Sequence, residues 1–516
     1  MVIKKSAFIL FIISVLLAGC GNSVKETKSK LKLNVVENGN LKKTRTIVTT
    51  DGEVDDQDTF IRMLLYLNEF NVEGLIYSSS QWHWKGDGKG TLFTSEMENT
   101  ARMYGERSEL RWTGTTWMQE MIDKYAAVYE NLIKHDESYP TPEYLKSIIK
   151  VGNIDFEGDM AEATEGSDFI KDILLDDGEG SIYVQIWGGT NTLARALKSI
   201  QEEYEETPEW EKIYKKVSDK TFIYTVLDQD ATYKKYVEPN WPGIRVIYNS
   251  AQFWSFAYLW PRVVPGTLKP YMQGPWFREN ILFDHGPLMA AYYTWGDGRQ
   301  IKGDCDHTQG QMEQVRARGM NKYDFISEGD SPAYFFLINY GLRSTENPSY
   351  GGLGGRFVLS ETNNRRWEDG RNVTDFNPEM GEEDASYPQV RWIDVLQNDF
   401  AARADWCVKD YKEANHAPLL ELKHEKDLTA EAGETINLQG VVNDPDGDEV
   451  SFKWWQYVEA GTYGSDVKIE NDNTTNAKVL IPEDAVTGRS IHIILEVKDN
   501  GSPALTRYNR IIITII

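Results

Sequence analysis

Four acidic side chains fall within six residues of the sequence, directly after a β-branched run. The segment from Thr44 reads TRTIVTTDGEVDDQDTF and carries Asp51, Glu53, Asp55 and Asp56. Carboxylates this close on one strand-to-helix turn repel one another, so we expect a cation among them. Ca²⁺ is the simplest choice, because it takes six to eight oxygen ligands and accepts carboxylates from a flexible loop. An acidic N-cap is the alternative, since Asp is favoured at helix starts.

A second acidic segment lies far later in the chain. The stretch SEGDSPA at 327–333 precedes an apolar helix that begins at Tyr334. Pro just behind Asp is also an ordinary helix start. Two acidic segments that each open a helix nevertheless favour one shared metal site, in which Asp330 joins Asp51 and Asp56.

Five apolar or β-branched runs alternate with helical patterns between these segments. They are Thr46–Thr50, Val72–Ser79, Ser181–Trp187, Thr221–Leu227 and Arg245–Tyr248. Strands joined by helices form right-handed βαβ units, and ligands of such sheets bind at the carboxyl ends of the strands. The pattern therefore predicts an α/β fold with a mostly parallel sheet flanked by helices, and it places Asp51 at the binding edge.

Aromatic residues follow the second of these strands. Trp82, His83 and Trp84 either form a wall of a sugar pocket or belong to a surface loop with buried rings. A later aromatic stretch, Trp254–Trp260, is expected to pack as a helix. His285 lies in a loop-rich region and is a candidate to protonate a leaving group, although a lone His is more often structural.

The segment TTDGEVDDQDTF resembles the N-terminal aspartate motif of nucleoside hydrolases, in which a strand ends in Asp and Pro-Gly-x-Asp-Asp opens the first helix. Asp51, Asp55 and Asp56 fall on the three aspartates of that family, whereas Thr49 occupies the place of an earlier Asp. Nearly the whole mature chain is similar to a bacterial group of cellulose-binding proteins, which carry a nucleoside-hydrolase-like domain and a C-terminal β domain. The resemblance implies the Rossmann-like nucleoside-hydrolase fold.

The resemblance also implies Ca²⁺ as cofactor and assigns residue roles. The implied metal ligands are Asp51, Asp56, Asp330 and, through its backbone carbonyl in the turn after the third strand, Asn191. Asp51 or Asp55 would be catalytic, accepting a proton as a metal-bound water attacks the anomeric carbon of a furanose.

Two departures from the nucleoside-hydrolase pattern concern the substrate. Gly329 stands where that family commonly has the His that protonates the leaving group. The family's ribose-binding Asn motif is not recognisable here, so Asn249 is only a candidate substrate ligand.

Composition limits the partners. A formal net charge of −25 argues against nucleic acid or an anionic membrane surface as a partner, because both would repel the chain. The 16 Trp and 27 Tyr favour a carbohydrate or glycoside partner, since such rings stack on sugars.

The N-terminal segment predicts export. Residues 1–19 read as a lipoprotein signal peptide whose LAGC ending places a lipid on Cys20, and residues 20–43 read as a tether. An uncleaved anchor is the alternative. We expect a protein attached to the bacterial cell envelope, on the outer membrane or cell surface, which meets the membrane only through its lipid anchor.

The remaining pattern divides the chain at a short linker. Residues 44–414 are assigned to the α/β domain and residues 419–516 to an Ig-like or PKD-like β-sandwich of short alternating strands. Four acids in its turns either hold a structural Ca²⁺ or serve turn chemistry alone; they are Asp444, Asp446, Asp448 and Asp499. Cys305 and Cys407 either form a disulfide or are buried thiols.

Two functions follow as hypotheses. One is a Ca²⁺-dependent glycosidase that acts on an N- or O-glycosidic, furanosyl or glycan-derived substrate in polysaccharide utilisation. The other is a non-catalytic surface lipoprotein that binds cellulose or another carbohydrate, since fold alone does not establish activity. A nucleoside salvage enzyme fits poorly with a lipid anchor and an added sandwich. The sugar and the oligomeric state are left open.

Overall fold

The computed structural model describes residues 43–304, 310–338 and 340–516. The predicted signal peptide, Cys20, tether residues 20–42 and Cys305 lie outside the described residues. Cys407 is buried, and its thiol lies 3.6 Å from the Arg403 carbonyl oxygen. Within the described part of the chain, every helix is too short or too polar to cross a bilayer.

An eight-stranded sheet forms the centre of the α/β region. Its eight strands are β1 Arg45–Thr50, β2 Asn71–Tyr77, β3 Ile149–Val151, β4 Ile182–Ile186, β5 Thr221–Val226, β6 Arg245–Asn249, β7 Val358–Leu359 and β8 Arg366–Glu368. A small separate sheet contains β9 Asp375–Asn377 and β10 Glu382–Asp384. The order in the eight-stranded sheet is β3-β2-β1-β4-β5-β6-β8-β7, and all pairs are parallel except β7 with β8. The predicted α/β class is confirmed, and so are the five predicted strands.

Helices flank this sheet. They are α1 Val54–Leu64, α2 Glu98–Tyr104, α3 Trp117–His135, α4 Pro142–Ser147, α5 Glu165–Leu175, α6 Asn191–Tyr204, α7 Trp210–Lys220, α8 Glu238–Asn240, α9 Trp260–Val263, α10 Gly274–Phe277, α11 Gly286–Met289, α12 Met312–Ala317, α13 Ser331–Phe335, α14 Tyr387–Val390 and α15 Ile393–Trp406. Short 3₁₀ and π turns connect several of them, including a 3₁₀ turn at Gln252–Ser255.

The central strand and helix follow directly from their residues. All six residues of β1 are buried, as expected for a β-branched strand covered on both faces. The helix α1 carries Asp55 and Asp56 in its first turn and Arg62 in its last, which matches the helix dipole. Because every residue of α1 except Asp55 is buried, this helix lies inside the domain and not on its surface.

A second region of two four-stranded sheets follows. Its strands are β11 Leu419–Leu422, β12 Asp427–Ala430, β13 Thr435–Asn443, β14 Val450–Gln456, β15 Lys468–Glu470, β16 Asn476–Leu480, β17 Ser490–Asp499 and β18 Thr506–Ile515. The orders are β11-β13-β16-β15 and β12-β18-β17-β14. Both sheets contribute to one apolar core, so the predicted all-β region is confirmed; the sequence pattern did not predict β11 and β12.

Strand β18 fixes the second region against the first. The Tyr508 and Arg510 amides donate to the carbonyls of Tyr340 and Gly341, each at 3.0 Å. The buried Arg510 guanidinium also donates to the Leu342 carbonyl at 2.7 Å and to the Gly351 carbonyl at 2.9 Å. Residues 43–516 therefore form one compact unit.

Candidate functional site

Acidic side chains from two distant segments meet at the carboxyl edge of the sheet. Carboxylate oxygens of Asp55, Asp56 and Asp330 lie within 4.8 Å of one another, and Asp51 lines the same cavity. Opposed oxygens around one Ca²⁺ are about 5 Å apart, since each bond is about 2.3–2.6 Å long. The spacing therefore suits a single ion, and Asp330 lies beside the aspartates of α1 as the sequence pattern predicts.

The turn between β1 and α1 aims these side chains. The Thr50 hydroxyl donates to Asp56 Oδ1 and accepts the Gly52 amide at 3.2 Å. Gly52 has a φ of +83°, and a Cβ there would lie 2.4 Å from Thr113 Oγ1. Only glycine fits this turn, because any side chain would clash and strain the backbone.

A buried ion pair holds the second segment against the first helix. Arg62, near the end of α1, lies 3.3 Å from Glu328, two residues before Asp330, and both side chains are fully buried. The Arg62 guanidinium also donates to Gln397 Oε1 at 2.8 Å and to the Leu396 carbonyl at 2.7 Å, both in α15. Glu328 further accepts the Ser331 hydroxyl at 2.6 Å. The position of Asp330 thus depends on tertiary contacts.

Burial and mutual repulsion dominate the electrostatics of this cluster. Burial raises the pKa of Asp55, Asp56 and Asp330 well above the usual value, and neighbouring carboxylates raise it further. Burial likewise raises the pKa of Asp51. A site of this kind holds either protons or a cation.

The ligand atoms fit a hard divalent cation. Asp51 Oδ2 is buried and accepts no hydrogen bond from any described residue. The four carboxylates offer only oxygen, which suits Ca²⁺ or Mg²⁺ and not the softer metals that prefer thiolate or imidazole.

The side-chain nitrogen and the backbone amide of Asn191 are engaged in hydrogen bonds, whereas its buried Oδ1 accepts none from any described residue. Its Nδ2 donates to Ser79 Oγ and to the Asn153 carbonyl, both at 2.9 Å. Its backbone N–H donates to Asp230 Oδ2, also at 2.9 Å. Asn191 also does not line the cavity. The contact through its backbone carbonyl stays a prediction.

Glu53 lines the same cavity and is held by a separate set of contacts. Its oxygens lie 3.4 Å from His83 Nε2, 3.4 Å from the Arg111 guanidinium and 3.0 Å from the Tyr258 hydroxyl. His83 Nδ1 lies 2.7 Å from the Arg111 carbonyl. Burial and the Arg111 charge lower the pKa of His83, but Glu53 and Asp51 outweigh them, so the net shift is upward. Arg111 at the cavity wall thus pairs with Glu53 and, more closely at 2.9 Å, with Asp304.

Aromatic rings form the walls of the cavity, whose volume is 410 Å³. Trp82, Trp254 and Tyr258 are half-buried, so part of each ring faces the opening. The expectation that the stretch Trp254–Trp260 only packs as a helix is wrong for Trp254 and Tyr258. Its chain forms short turns after β6, and these present both rings to the cavity.

Trp84 and His285, both predicted site residues, lie away from the cavity, and the fully buried His83 does not line it either. Trp84 is 1 % exposed and packs against Phe93 and Phe156, so it supports the loop and does not line the cavity. His285 Nε2 lies 3.2 Å from Asp405 Oδ1 and is also absent from the cavity wall. The structure therefore offers His285 no route to a leaving group in this cavity.

Asn249 does not line the cavity, but it contacts a residue that does. Its Nδ2 donates to the Tyr224 hydroxyl at 2.9 Å, and its Oδ1 accepts the Phe253 amide at 3.0 Å. Phe253 lines the cavity and Asn249 does not, so Asn249 positions the aromatic wall.

Gly329 is tightly packed where the nucleoside-hydrolase pattern has a histidine. A Cβ at this position would lie 3.0 Å from Asp55 Oδ2 and 3.5 Å from Phe253 Cδ2. A larger side chain would have to displace Asp55 or the aromatic wall.

Several cavity residues were not predicted. Trp187 and Gln229 follow β4 and β5 directly, so the rule that ligands bind at strand ends identifies them in retrospect. Tyr104, Arg111 and Arg318 come from helix ends and loops, and no local signal in the sequence marks them.

Comparison with known proteins agrees with this fold. A solved structure of a nucleoside hydrolase-related hypothetical protein from Saccharophagus degradans, described as associated with carbohydrate metabolism, is 25% identical. The match covers 92% of this chain and 100% of that chain, with a TM-score of 0.67. Two further structures have TM-scores of only 0.34 and 0.15, which are too low to indicate a shared fold over the whole chain. They are the effector protein XOO4466, at 10% identity over 71% of this chain and 94% of that chain, and the PKD domain of KIAA 1837 protein, at 21% identity over 20% and 91%.

Family descriptions cover both regions. The family described as "Cellulose-binding Sde182, nucleoside hydrolase-like domain" matches residues 45–357, and "Cellulose-binding protein Sde0182, C-terminal domain" matches residues 435–515. The comparison with curated proteins gives no match. Because the first match spans more than half of the sequence, the chain belongs to the Sde182 family of cellulose-binding proteins with a nucleoside hydrolase-like domain.

Proposed function

We propose that the cavity binds a carbohydrate and that the chain hydrolyses a glycosidic bond there with a divalent cation, most simply Ca²⁺. The observation that carries this proposal is the meeting of Asp55, Asp56 and Asp330 beside Asp51 at the base of an aromatic-walled cavity. The cellulose-binding description of the family and the carbohydrate association of the Saccharophagus degradans protein support the substrate class.

Each carboxylate has a distinct position. Asp56, Asp330 and Asp51 are buried, whereas Asp55 is half-buried and faces the cavity. These four residues would hold the cation, which when bound supplies a Lewis acid that lowers the pKa of water. Asp51 is suited to accept a proton, because its Oδ2 accepts no hydrogen bond from any described residue. Asp55 is suited to stabilise positive charge developing on the sugar ring in the transition state.

The aromatic wall explains selection for a sugar. Trp82, Trp254 and Tyr258 offer ring faces on which the apolar face of a sugar stacks. A volume of 410 Å³ lies in the range of small-ligand sites. These rings also exclude water from the acidic base of the cavity, which strengthens electrostatic interactions there.

Carbohydrate binding without turnover is the second candidate, and the packing at Gly329 favours it. A histidine acid has no room at this position, since even a Cβ approaches Asp55 Oδ2 to 3.0 Å. The position of His285 outside the cavity removes the other predicted acid. A substrate whose leaving group needs little protonation reconciles these features with catalysis.

We also propose that the chain is exported and lipid-anchored through Cys20. The LAGC ending behind an apolar run supports this localisation. An external location suits a polymeric or glycan-derived substrate.

A sugar-release screen tests the catalytic proposal. Wild type is incubated with plant polysaccharides, oligosaccharides and nucleosides, with EDTA or with Ca²⁺ restored. We expect release that EDTA stops and that Asp51→Asn lowers by about 10²–10⁴-fold, the usual contribution of a general base. Asp168→Asn is the matched control, because this exposed acid also lies in the first turn of a helix. Retention of a polysaccharide without release under any condition selects the binding function.

A further inference from the structure

We propose that a second divalent cation, most simply Ca²⁺, binds between the turn 444–448 of the β-sandwich and the linker residue Asn415, and that it fastens the sandwich to the α/β domain. This proposal does not rest on the proposed catalytic function, because it concerns a separate set of residues.

The turn brings three carboxylates together. Ligand oxygens of Asp444, Asp446 and Asp448 lie within 4.8 Å of one another. Asp444 Oδ1 accepts the amides of Asp446 and Asp448, each at 3.0 Å. These bonds are ordinary turn chemistry and do not by themselves indicate a ligand.

A buried carboxylate beside the turn supplies the independent observation. Asp499, at the end of β17, is 4 % exposed. Its Oδ1 accepts the Leu505 amide at 2.9 Å and Asn415 Nδ2 at 3.1 Å, whereas its Oδ2 accepts no hydrogen bond from any described residue. Asp499 pairs with Val450, the first residue of β14, which lies two residues after the turn. This strand pairing places Asp499, with its unpartnered oxygen, beside the acidic turn.

Two further buried oxygens share this property. Asn415 is 6 % exposed, and its Oδ1 has no hydrogen-bond donor in the described part of the chain. The same holds for Asp444 Oδ2. Three buried acceptor oxygens without donors in one small region are costly unless a cation coordinates them.

The charge in this region is also uncompensated. Among the described residues, the four carboxylates form no ion pair with lysine or arginine, and their one cationic contact is His416 Nδ1, 3.2 Å from Asp446. A hard divalent cation supplies the missing positive charge, and carboxylates with an amide oxygen are ligands that Ca²⁺ prefers.

The position of Asn415 gives this cation its role. Asn415 follows the last helix of the α/β domain, and its carbonyl accepts Trp406 Nε1 of α15 at 3.1 Å. The next residue, His416, donates its amide to Asp446 Oδ2 at 2.7 Å and stacks on Tyr411, with ring centroids 3.8 Å apart. A cation that joins Asn415 to Asp444 and Asp499 therefore ties α15 to the sandwich.

Calcium titration of the full chain by calorimetry tests this assignment. The Asp330→Asn background weakens the first cluster, and the binding that Asp448→Asn then removes is assigned to the second site. We expect one remaining Ca²⁺ per chain, with a Kd of about 10⁻⁴–10⁻³ M if it resembles extracellular modules. Adding Asp448→Asn is expected to weaken this binding at least tenfold; the Asp448 side chain accepts no hydrogen bond from any described residue, so the fold of the turn does not depend on it.

A control variant and a proteolysis measurement test whether the loss of Ca²⁺ binding is specific to the second site. Asp472→Asn, an exposed acid of the same sandwich, is expected to leave Ca²⁺ binding unchanged. Trypsin cleavage at the exposed Lys412, three residues before Asn415, is expected to accelerate in EDTA for wild type but to be insensitive to Ca²⁺ in Asp448→Asn. Absence of Ca²⁺ binding in the Asp330→Asn background, or binding that Asp448→Asn leaves intact, would overturn the proposal.

Discussion

The two acidic clusters of this chain carry the same oxygen ligands but are assembled in different ways. The first joins Asp55 and Asp56 of α1 to Asp330, which lies on a distant segment held by the buried pair Arg62 and Glu328. The second arises mainly within one turn, 444–448, completed by Asp499 from a neighbouring strand end.

Their surroundings differ as well. The first cluster lies at the base of a 410 Å³ cavity with aromatic walls, whereas the second lies at a junction between domains. The type of ligand atom alone therefore does not distinguish a catalytic cation site from a structural one. The open space beside the carboxylates distinguishes them, because only a site with a cavity admits a substrate.

Breaking the buried ion pair is expected to give the largest effect and to separate the two clusters. Arg62→Met leaves Glu328 buried and unpaired, which typically costs about 3–5 kcal/mol. Urea unfolding measures this loss. Calcium titration is expected to show that the first cluster loses binding while the second retains it.

A double variant controls for the buried charge in this experiment. Arg62→Met with Glu328→Gln is expected to recover part of the stability, because no uncompensated charge remains. Unchanged Ca²⁺ affinity of the first cluster in Arg62→Met would show that Asp330 is positioned without this pair.

Acid is expected to loosen the junction between the two regions by a smaller amount. Burial raises the pKa of Asp399, but Arg403 and the sandwich residue Arg507 outweigh it and lower the pKa from 3.8 to about 2. The ionised form therefore favours the folded state. Its contribution, about 2 kcal/mol, is complete above pH ~4 and is lost as the pH falls through about 2.

Unfolding free energies across this pH window check the expectation. Asp399→Asn is expected to remove the corresponding part of the pH dependence, with Asp168→Asn as an exposed control. Equal acid sensitivity in wild type and Asp399→Asn would assign the effect to other carboxylates.

Adding one methyl group to each cluster is expected to give the smallest effects. In Gly329→Ala the new Cβ lies 3.0 Å from Asp55 Oδ2, so crowding is expected to weaken Ca²⁺ at the first cluster by about 1 kcal/mol, or about fivefold. In Gly447→Ala the Cβ meets nothing within 4 Å, but the φ of +85° strains the turn by about 1 kcal/mol.

The readouts of these two variants differ. Calcium titration is expected to respond to Gly329→Ala at the first cluster only, and thermal unfolding is expected to respond to Gly447→Ala. A loss of first-cluster affinity in Gly447→Ala would contradict the separation of the two sites.

The sequence pattern was sufficient for five of the eight strands of the central sheet and for the aspartates after β1, but not for β3, β7 and β8. Buried β-branched runs such as β1 have a strong local signal, and residues that follow such a strand lie at its carboxyl edge by topology. The aromatic wall was less predictable. Trp254 and Tyr258 reach the cavity through irregular turns, and Trp84 turns inward against Phe93, because tertiary packing decides which way a loop ring points.

The bonds that Arg510 makes across the junction have an evolutionary consequence. Its guanidinium satisfies carbonyls of Leu342 and Gly351 that lie in the other region. Replacing the sandwich with an unrelated module by recombination would leave those carbonyls without hydrogen-bond donors. The two regions are therefore expected to be inherited as a pair and not exchanged freely among unrelated proteins.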